Sequence, residues 1–440
     1  IVLGCQSHTE GPIMKEKLAA VLLISYFLIS CGKKEDVVEI HLWHFGGTTN
    51  MMEWVRARVD SFNNTHPGIR VVQSQKSWGM IRELLYTNFV SGTGPDVLNV
   101  HANHAAEFGE AGFFHPINQF PDFAEVRSWY EPNLFASTRY RDNYYGLPAS
   151  ALAFVLVCNK EMFDAEGVAP PKTWSEFREA ARRLTKDADG DGSIDQWGLV
   201  LFGGDRGGFS YRLAPFLYKA GVDILSDDLT KAEFNSPMGV AAVKLFADMH
   251  QIDRSITPGF LAYTLSEIND LFCSNKAAMS IEGPWFRDMV DEKSPGKEFY
   301  TVPVPVPDAM LDRYSSSPTL QDMVMYAINV RSTHLDESWQ LTKYLCNEEA
   351  DRELITSELG GIPTTVKVLS GLDADKKKDL SLYRNELLHA RPWPPHPAII
   401  NIAKNAIAPW SQKAIIGELS AQAAMDEAAK EAQMILEGRK

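Results

Sequence analysis

The hydrophobic pattern along the chain switches repeatedly between two periods. Short apolar or alternating runs predict β-strands, and apolar residues spaced three and four apart predict helices between them. Strands that alternate with helices favour an α/β fold with a mainly parallel sheet. The predicted strands cover 37–43, 69–72, 96–100, 151–159, 196–202 and 324–330, and the predicted helices cover 51–63, 80–90, 174–184, 237–249 and 411–436.

The middle of the chain repeats this pattern. Residues 151–159 are almost continuously apolar, which is typical of a central strand covered on both faces. Thr173 is followed three residues later by Glu176, and this capping box predicts the start of a helix. The middle stretch is therefore expected to build a second set of strands and helices.

The N-terminal region has the pattern of an export signal. Lys15 and Lys17 precede residues 18–30, a run of 13 residues almost without polar side chains. A run of this length fits a secretory signal and is shorter than the ~20 residues of a membrane-spanning helix. It ends at Leu28-Ile29-Ser30-Cys31-Gly32, which resembles a bacterial lipobox.

We therefore expect residues 14–30 to be a signal peptide that is removed, Cys31 to be lipidated, and residues 31–35 to be a short tether. The alternative is an ordinary signal peptide with a cysteine there by chance. Residues 1–13 begin with Ile and show no export pattern of their own, and we interpret them as an upstream, non-native leader.

Composition narrows the possible functions. Apolar residues make up 45% of the chain, which is ordinary for a globular protein. The length of the chain predicts two or three domains. The formal net charge of −14 argues against nucleic acid as a partner. Cys158, Cys273 and Cys346 are far apart and odd in number. They are expected to be small apolar side chains rather than a disulfide frame.

Four segments together resemble the family 1 extracellular solute-binding proteins, the family that includes maltose-binding protein. Their order and spacing carry the resemblance more than any one of them does. The segments are Ser91-Gly92-Thr93-Gly94-Pro95-Asp96-Val97, Gly146-Leu147-Pro148 with the later Asn159-Lys160-Glu161-Met162-Phe163, Pro170-Pro171-Lys172-Thr173-Trp174-Ser175-Glu176-Phe177, and Ala278-Met279-Ser280-Ile281-Glu282-Gly283-Pro284-Trp285.

The resemblance implies a two-lobe fold of the periplasmic-binding-protein class, with hinge crossings and a ligand cleft between the lobes. Lobe one is expected to hold residues 36–150 and 322–372, and lobe two residues 151–321 and 373–440. It further implies an extracytoplasmic, membrane-anchored and monomeric protein that serves the permease and ATPase of an ABC importer.

Candidate ligand contacts come from loops that follow predicted strands, where open α/β sheets place ligands. Tryptophan faces at such loops can stack on sugar rings, whose hydroxyls then need polar partners. By resemblance, Trp285 takes a sugar-stacking position of the family. The predicted ligand-binding residues are Trp43, His44, Trp78, Asp96, Tyr211, Glu282 and Trp285.

Each candidate has a structural alternative. The tryptophans could cap the edge of a core, and Asp96 could satisfy backbone donors in its own turn. His101 and His104 lack a recognised zinc pattern, and His101 is a further candidate for the cleft.

A separate acidic loop has the spacing of a calcium site. Gly192 stands at the sixth position, where a calcium loop turns sharply, but Gly198 replaces the usual glutamate at position 12. The alternative is an acidic surface turn that binds no metal. The predicted ligands of a structural Ca²⁺ are Asp187, Asp189, Asp191, Ser193, Asp195 and Gln196.

The function that the sequence favours is capture of a sugar or oligosaccharide for import, with no catalysis. The first alternative is a lipid-anchored carbohydrate-active enzyme, for which Glu282 beside Trp285 would be one of a pair of carboxylates. The second alternative keeps the fold and changes the solute to a peptide, polyamine, metal chelate or nucleobase.

Overall fold

The fold was analysed in a computed structural model that describes residue 1 and residues 37–357, 359–372 and 378–439. The predicted signal peptide, the predicted lipidation site Cys31 and the tether lie outside the described residues. The strands are β1 (Val38–Phe45), β2 (Ile69–Lys76), β3 (Val97–His101), β4 (Arg139–Tyr140), β5 (Asn143–Tyr144), β6 (Leu147–Ala153), β7 (Val155–Asn159), β8 (Trp197–Leu199), β9 (Ala277–Glu282), β10 (Phe299–Val302) and β11 (Gln321–Ile328).

The helices alternate with these strands and then dominate the last third of the chain. They are α1 (Thr49–Thr65), α2 (Ile81–Ser91), α3 (His104–Glu110), α4 (Phe123–Arg127), α5 (Pro132–Ala136), α6 (Lys160–Glu166), α7 (Trp174–Arg183), α8 (Arg206–Lys219), α9 (Pro237–Gln251), α10 (Leu265–Cys273), α11 (Trp285–Lys293), α12 (Leu335–Leu345), α13 (Glu348–Thr356), α14 (Val366–Ser370), α15 (Lys378–His389), α16 (Ile399–Ile402), α17 (Ala408–Ile415) and α18 (Ala421–Leu436).

Two separate sheets organise the fold. The first has five strands in the order β2-β1-β3-β11-β6, and the second has four in the order β10-β7-β9-β8. We call the units built around them lobe one and lobe two. The predicted two-lobe α/β fold is confirmed.

The expected mainly parallel sheet is wrong in detail, because both sheets are mixed. In lobe one β1 runs parallel to β2 and β3, whereas β11 is antiparallel to both β3 and β6. In lobe two β8 is parallel to β9, but β7 is antiparallel to β9 and β10. The antiparallel strands are those that enter or leave a lobe where the chain crosses between the sheets.

The apolar run 151–159 forms two strands, not the single one predicted. β6 belongs to the first sheet and β7 to the second, with Phe154 alone between them. The return crossing lies beside it, because the Phe154 backbone N–H donates to Leu320 O at 3.4 Å and Thr319 Oγ1 donates to Phe154 O at 2.9 Å. An uninterrupted apolar pattern indicates burial, and it cannot say in which sheet a residue lies.

Local signals explain several helix ends. The capping box at α7 forms as predicted, with Thr173 Oγ1 accepting from Glu176 N and the Glu176 side chain accepting from Thr173 N. The single helix predicted over 411–436 is wrong, because the chain turns at Gly417 with φ of +87° and separates α17 from α18. A positive φ of this size favours glycine.

The C-terminal helices complete the core of lobe two. Ile402, Ile415 and Met425 are fully buried in the same cluster as Leu156 of β7 and Phe216 of α8. Cys158 and Cys346 are buried, and neither they nor the partly buried Cys273 pair with one another. None of the helices in the described ranges has the length and apolar character needed to cross a bilayer.

Candidate ligand-binding site between the lobes

A row of aromatic side chains lies at one end of the sheet of lobe one, near the last residues of β1 and just after β2. Trp43 and Phe45 are two apart in β1, so they share a face, and their rings meet edge-on with centroids 6.4 Å apart. Phe45 stacks on Trp78 at 5.9 Å, and Trp78 in turn lies 4.3 Å from the ring of His101. Trp78 is placed by Gly46, because a Cβ built there would lie 1.7 Å from the indole Nε1.

His101 meets a buried carboxylate at the end of β3. Antiparallel pairing sets Val324 opposite His101, so Asp322 of β11 lies just beyond the end of β3. Asp322 is 4% exposed, and its Oδ2 lies 2.6 Å from His101 Nδ1. The contact is close but poorly aligned for a hydrogen bond. The other carboxylate oxygen accepts from Met323 N at 2.7 Å.

Tyr211 of α8 approaches this pair from lobe two. The Tyr211 hydroxyl accepts a hydrogen bond from Asn103 Nδ2, which joins the two lobes. The Tyr211 ring lies 5.9 Å from that of His101 and stacks on Phe154 at 5.7 Å. Burial, together with the charge of Asp322, raises the pKa of Tyr211 well above its usual value. Its phenol therefore stays protonated and uncharged.

Trp285 begins α11 directly after the turn that leaves β9. Its ring covers Gly283, where an added Cβ would lie 2.0 Å from the indole Cζ3, and it meets Phe154 edge-on at 5.4 Å. The indole Nε1 is buried and finds no hydrogen-bond partner among the residues that the structure describes. An unpaired buried donor carries a free-energy cost, which a polar group entering this boundary would relieve.

A second set of contacts joins the lobes at the start of α1. Thr48 Oγ1 and Asn50 Nδ2 both donate to the carboxylate of Asp288 on α11, the latter at 2.8 Å. Thr49 Oγ1 donates to Glu292 Oε1 at 2.9 Å. Asp288 is 6% exposed, so the lobes touch closely here. The structure therefore has the two lobes closed on each other.

Glu282 is placed near the boundary but is already fully engaged. It is fully buried, and Arg212 Nη2 and Nε reach its two carboxylate oxygens at 2.6 and 3.3 Å. Ser280 Oγ donates to Glu282 Oε1 at 2.8 Å. Both oxygens of this buried carboxylate are therefore hydrogen-bonded within lobe two.

The structure places His44 and Asp96 away from the other predicted contacts. His44 lies one residue from Trp43, so it points to the opposite face of β1, where Nδ1 is hydrogen-bonded to Tyr326 Oη at 3.0 Å. Burial lowers the pKa of His44 to about 4. Asp96 precedes β3, at the end far from His101, and accepts from His41 N at 2.8 Å and from Ser332 Oγ at 2.6 Å.

The site thus combines apolar ring faces with a few polar groups, all at the boundary of two lobes. Residues 46–352 match the family model of the bacterial extracellular solute-binding proteins. The chain belongs to this family.

Two relatives match this solute-binding protein over most of its length. A candidate binding protein of Brucella abortus is 23% identical over 427 residues, which is 96% of this chain and 98% of the relative. The maltotriose-binding protein of Pyrococcus abyssi is 22% identical over 356 residues, which is 80% of this chain and 71% of the relative.

The fold is also that of solved solute-binding proteins. An ABC transporter solute-binding protein of Thermotoga lettingae, solved with α-D-tagatose, superposes with a TM-score of 0.80 at 24% identity. The superposition covers 91% of this chain and 100% of that one.

The acidic loop of this solute-binding protein is exposed and tightly turned. Asp187, Asp189 and Asp195 each place one carboxylate oxygen within 4.8 Å of the others. Gly190 and Gly192 have φ of +79° and +92°, and their N–H groups donate to the two oxygens of Asp187 at 2.7 and 2.8 Å. The donor set of oxygens suits Ca²⁺.

The other predicted calcium ligands are engaged differently. Asp191 Oδ1 accepts from Ser193 N at 2.7 Å, which tightens the loop. Gln196 Nε2 donates to Leu184 O at 2.7 Å, so its side-chain amide is tied to the end of α7. Among the four predicted aspartates, three therefore bring carboxylate oxygens together.

Sequence reasoning missed several residues of the interlobe site. The Trp393 ring meets that of Tyr211 edge-on at 5.8 Å. Asp322 and Trp393 follow β3 by more than two hundred residues, and no local pattern connects them to it. Phe154 was hidden inside an apolar run. Asn103 had a detectable signal, since it follows β3 beside His101, where strand ends place ligands.

Proposed function

We propose that this solute-binding protein captures a sugar or oligosaccharide between its lobes and presents it to the permease and ATPase of an ABC importer. The observation that carries the proposal is the pair of tryptophans Trp78 and Trp285, which bring aromatic faces to the boundary from opposite lobes. Indole faces suit the flat C–H faces of sugar rings. A relative named for maltotriose binding supports the same class of solute.

The polar groups at the boundary suit hydroxyls. Asn103 and Tyr211 can each donate and accept, and Trp285 Nε1 is a donor without a partner among the described residues. A micromolar dissociation constant corresponds to ~8 kcal/mol. Two stacked rings and several hydrogen bonds can supply this, once the cost of ordering the site is subtracted.

Closure of the lobes is the proposed mechanism. The two crossings lie side by side at Phe154 and Leu320, so a small change there can rotate one lobe against the other. A solute that touches both lobes favours the closed arrangement because it gains contacts only there. The importer would then recognise the closed form.

We propose that the protein works outside the cytoplasm, anchored to the membrane through a lipid on Cys31. The lipobox-like sequence around Cys31 supports this, and the family is extracellular. Metabolic labelling with a radioactive fatty acid tests it. Label is expected in the wild-type protein and not in the Cys31→Ala variant, and an unlabelled wild-type protein would contradict the anchor.

We propose that the loop holding Asp187, Asp189 and Asp195 binds a structural Ca²⁺. The three converging carboxylates support the proposal, and the ion would brace the link between α7 and β8. Extracellular calcium modules bind in about the 10⁻⁴–10⁻³ M range. CaCl₂ at such concentrations is expected to raise the Tm of the wild type and not that of Asp189→Asn, and an equal effect of MgCl₂ would indicate a nonspecific salt effect.

The sugar proposal is tested by a thermal-shift screen of mono-, di- and oligosaccharides with the purified protein. At least one sugar is expected to raise Tm, and the rise is expected to shrink in the Trp285→Ala variant. Trp410→Ala is the matched control, because that indole is half-buried beside Glu431 and Lys413, away from the boundary. A flat response to all sugars would contradict the proposal, and turnover into products would favour an enzyme.

A further inference from the structure

We propose that Trp393 is a specificity-determining ligand contact of lobe two, whose indole N–H donates a hydrogen bond to one hydroxyl of the bound sugar. The inference rests on the proposed function and adds to it a residue that recognises the sugar. Trp393 is 3% exposed, and its Nε1 is buried without a hydrogen-bond partner among the residues that the structure describes.

Backbone contacts fix Trp393 next to the hinge. Arg391, two residues earlier, lies along the return crossing, because its N–H donates to Thr319 O at 2.9 Å and its carbonyl accepts from Gln321 N at 2.9 Å. The carbonyl of the intervening Pro392 accepts a hydrogen bond from a tyrosine hydroxyl of α8 at 3.1 Å. The backbone that leads to Trp393 is therefore held by the crossing and by α8.

The ring of Trp393 extends a series of aromatic contacts along the boundary. It meets the Tyr211 ring edge-on, with centroids 5.8 Å apart and planes at 88°. Tyr211 stacks on Phe154 at 5.7 Å, and Phe154 meets Trp285 edge-on at 5.4 Å. An indole therefore stands at each end of this series, and each carries a buried N–H that lacks a partner among the described residues.

The Tyr211 hydroxyl lies in the polar part of the boundary, and Trp393 lies beside it. The hydroxyl accepts a hydrogen bond from Asn103 Nδ2, and Asp322 and the Trp393 N–H lie close to the same oxygen. The Trp393 N–H is not aligned for a hydrogen bond with it. Asn103 follows β3 and Asp322 lies in β11, both of lobe one, whereas Trp393 is buried in the core of lobe two. A solute held between the lobes at this point therefore meets the Trp393 N–H.

Other tryptophans show what an indole N–H does elsewhere in the protein. Trp174, Trp339 and Trp410 donate to oxygen acceptors at 3.1, 2.7 and 2.9 Å. The buried indoles of the described residues that lack such a partner are Trp285 and Trp393, and both belong to the series at the boundary. Buried polar groups are paired as a rule, and a donor left unpaired is costly. Their concentration at one place indicates that a bound solute supplies the acceptor.

An indole N–H discriminates between sugars through a single hydroxyl. The side chain of tryptophan is a donor only and does not titrate. A sugar hydroxyl accepts this bond through its oxygen, whereas a deoxy carbon at the same ring position cannot. Trp393 therefore selects sugars that carry a hydroxyl at one position, and its donor does not depend on the protonation of neighbouring groups.

The test is a cycle that combines Trp393→Phe with single deoxy positions of the sugar, measured by isothermal titration calorimetry. The panel holds glucose, galactose, maltose and maltotriose, any other sugar that raises Tm in the thermal-shift screen, and their mono-deoxy analogues. In the wild type, loss of one of the hydroxyls is expected to weaken binding about tenfold. In Trp393→Phe the parent sugar should bind about tenfold more weakly, and loss of that same hydroxyl should weaken it no further.

The cycle separates a hydrogen bond from a structural role. If Trp393 only packs against Tyr211, Trp393→Phe weakens every analogue by the same factor, the hydroxyl profile stays that of the wild type, and the inference is overturned. Trp410→Phe is the matched control, because it makes the same change at an indole whose N–H is bonded to Glu431. Its hydroxyl profile should equal that of the wild type.

Two checks keep the outcomes distinct. Urea unfolding shows whether Trp393→Phe is folded, and Trp393→Leu, which also lacks the donor, replaces it if it is not. If a sugar binds and none of its hydroxyls couples to Trp393, the inference is wrong and sugar binding stands. If no sugar in the panel binds to the wild type, both fail.

Discussion

Two buried carboxylates near the boundary, Glu282 of lobe two and Asp322 of lobe one, have different partners. Glu282, at the end of β9 in lobe two, is fully buried and surrounded by Arg212 and Ser280. Asp322, at the start of β11 in lobe one, touches a histidine that is still partly exposed toward the other lobe. The partners of Glu282 all lie within lobe two, whereas Asp322 contacts a residue that lies at the boundary.

The two carboxylates differ in their hydrogen-bond partners, and closeness to an aromatic residue in the sequence does not reveal that difference. Glu282 lies three residues from Trp285, which made it a candidate in the sequence. Its carboxylate oxygens accept hydrogen bonds from Arg212 and Ser280 of lobe two. Asp322 has no tryptophan near it in the sequence, yet it contacts His101, a partly exposed residue at the boundary. Substitutions on the two sides should therefore affect different quantities.

The largest expected effect is on stability at the lobe-two carboxylate. Glu282→Ala leaves the Arg212 guanidinium buried without its charge partner. Removing one member of a buried ion pair typically costs ~3–5 kcal/mol. We expect the free energy of unfolding of lobe two to fall by that order in urea titrations.

Two controls accompany this measurement. Glu179→Ala breaks an exposed pair with Arg182 and should change the stability little. Asp322→Asn should cost less than Glu282→Ala, because its partner His101 is partly exposed, whereas Arg212 is buried. Equal losses at Asp322 and Glu282 would contradict the contrast drawn between the two carboxylates.

An intermediate effect is expected on the pH dependence of stability, through His44 on the core-facing side of β1. His44 points into the core, and burial lowers its pKa to about 4 from 6.5. The unfolded chain binds the proton more readily, so stability falls as pH drops through the unfolded pKa toward the folded one. The loss from this residue between pH 7.5 and pH 5 is about 2 kcal/mol.

The measurement is the difference in unfolding free energy between those two pH values for wild type and His44→Gln. The variant is expected to lose about 2 kcal/mol less than the wild type over this range. His41→Gln is the control, because His41 is exposed on the same strand. If His44→Gln has the wild-type pH dependence, His44 is not buried as the structure has it.

The smallest expected effect concerns the contacts that close the lobes. Asp288→Ala removes the acceptor for Thr48 and Asn50, and hydrogen bonds of this kind contribute about 1 kcal/mol each. The tightest sugar found in the screen is expected to bind several-fold more weakly to the variant, mainly through faster dissociation. Stopped-flow fluorescence of the tryptophans measures this.

Glu348→Ala is the control for that change, since Glu348 pairs with Arg352 and Lys367, and these ion pairs do not join the two lobes. Unchanged dissociation in Asp288→Ala would mean that these contacts form without stabilising the closed state.

The sequence predicted most of the local elements and less of their arrangement. The capping box at Thr173 and the helical spacing of α1 depend on neighbours in sequence, and both formed as expected. The sequence did not predict the crossing at Phe154, because an apolar run continues unchanged where the chain passes from one sheet to the other. It did not predict the break at Gly417, because the helical spacing of apolar residues continues across that turn. β11 pairs with β3 and β6 only because the chain comes back from lobe two to the first sheet, and no local sequence pattern predicts this.

The sequence could place candidate residues near strand ends, and it could not place those that depend on strand pairing. Trp78 follows β2, Trp285 follows β9, and Trp43 lies near the end of β1. His44 lies apart from them because one step along β1 reverses the face. Asp322 could not be found because its closeness to His101 is created by an antiparallel register over a long sequence separation.

The central claim is that the lobes close on a sugar, and small-angle X-ray scattering tests it most directly. The radius of gyration of the purified protein is measured alone and with the sugar that gives the largest thermal shift. Closure predicts a smaller radius with the sugar and a weaker change in Trp285→Ala. Saturating sugar that leaves the radius unchanged, while calorimetry shows it bound, would contradict the account.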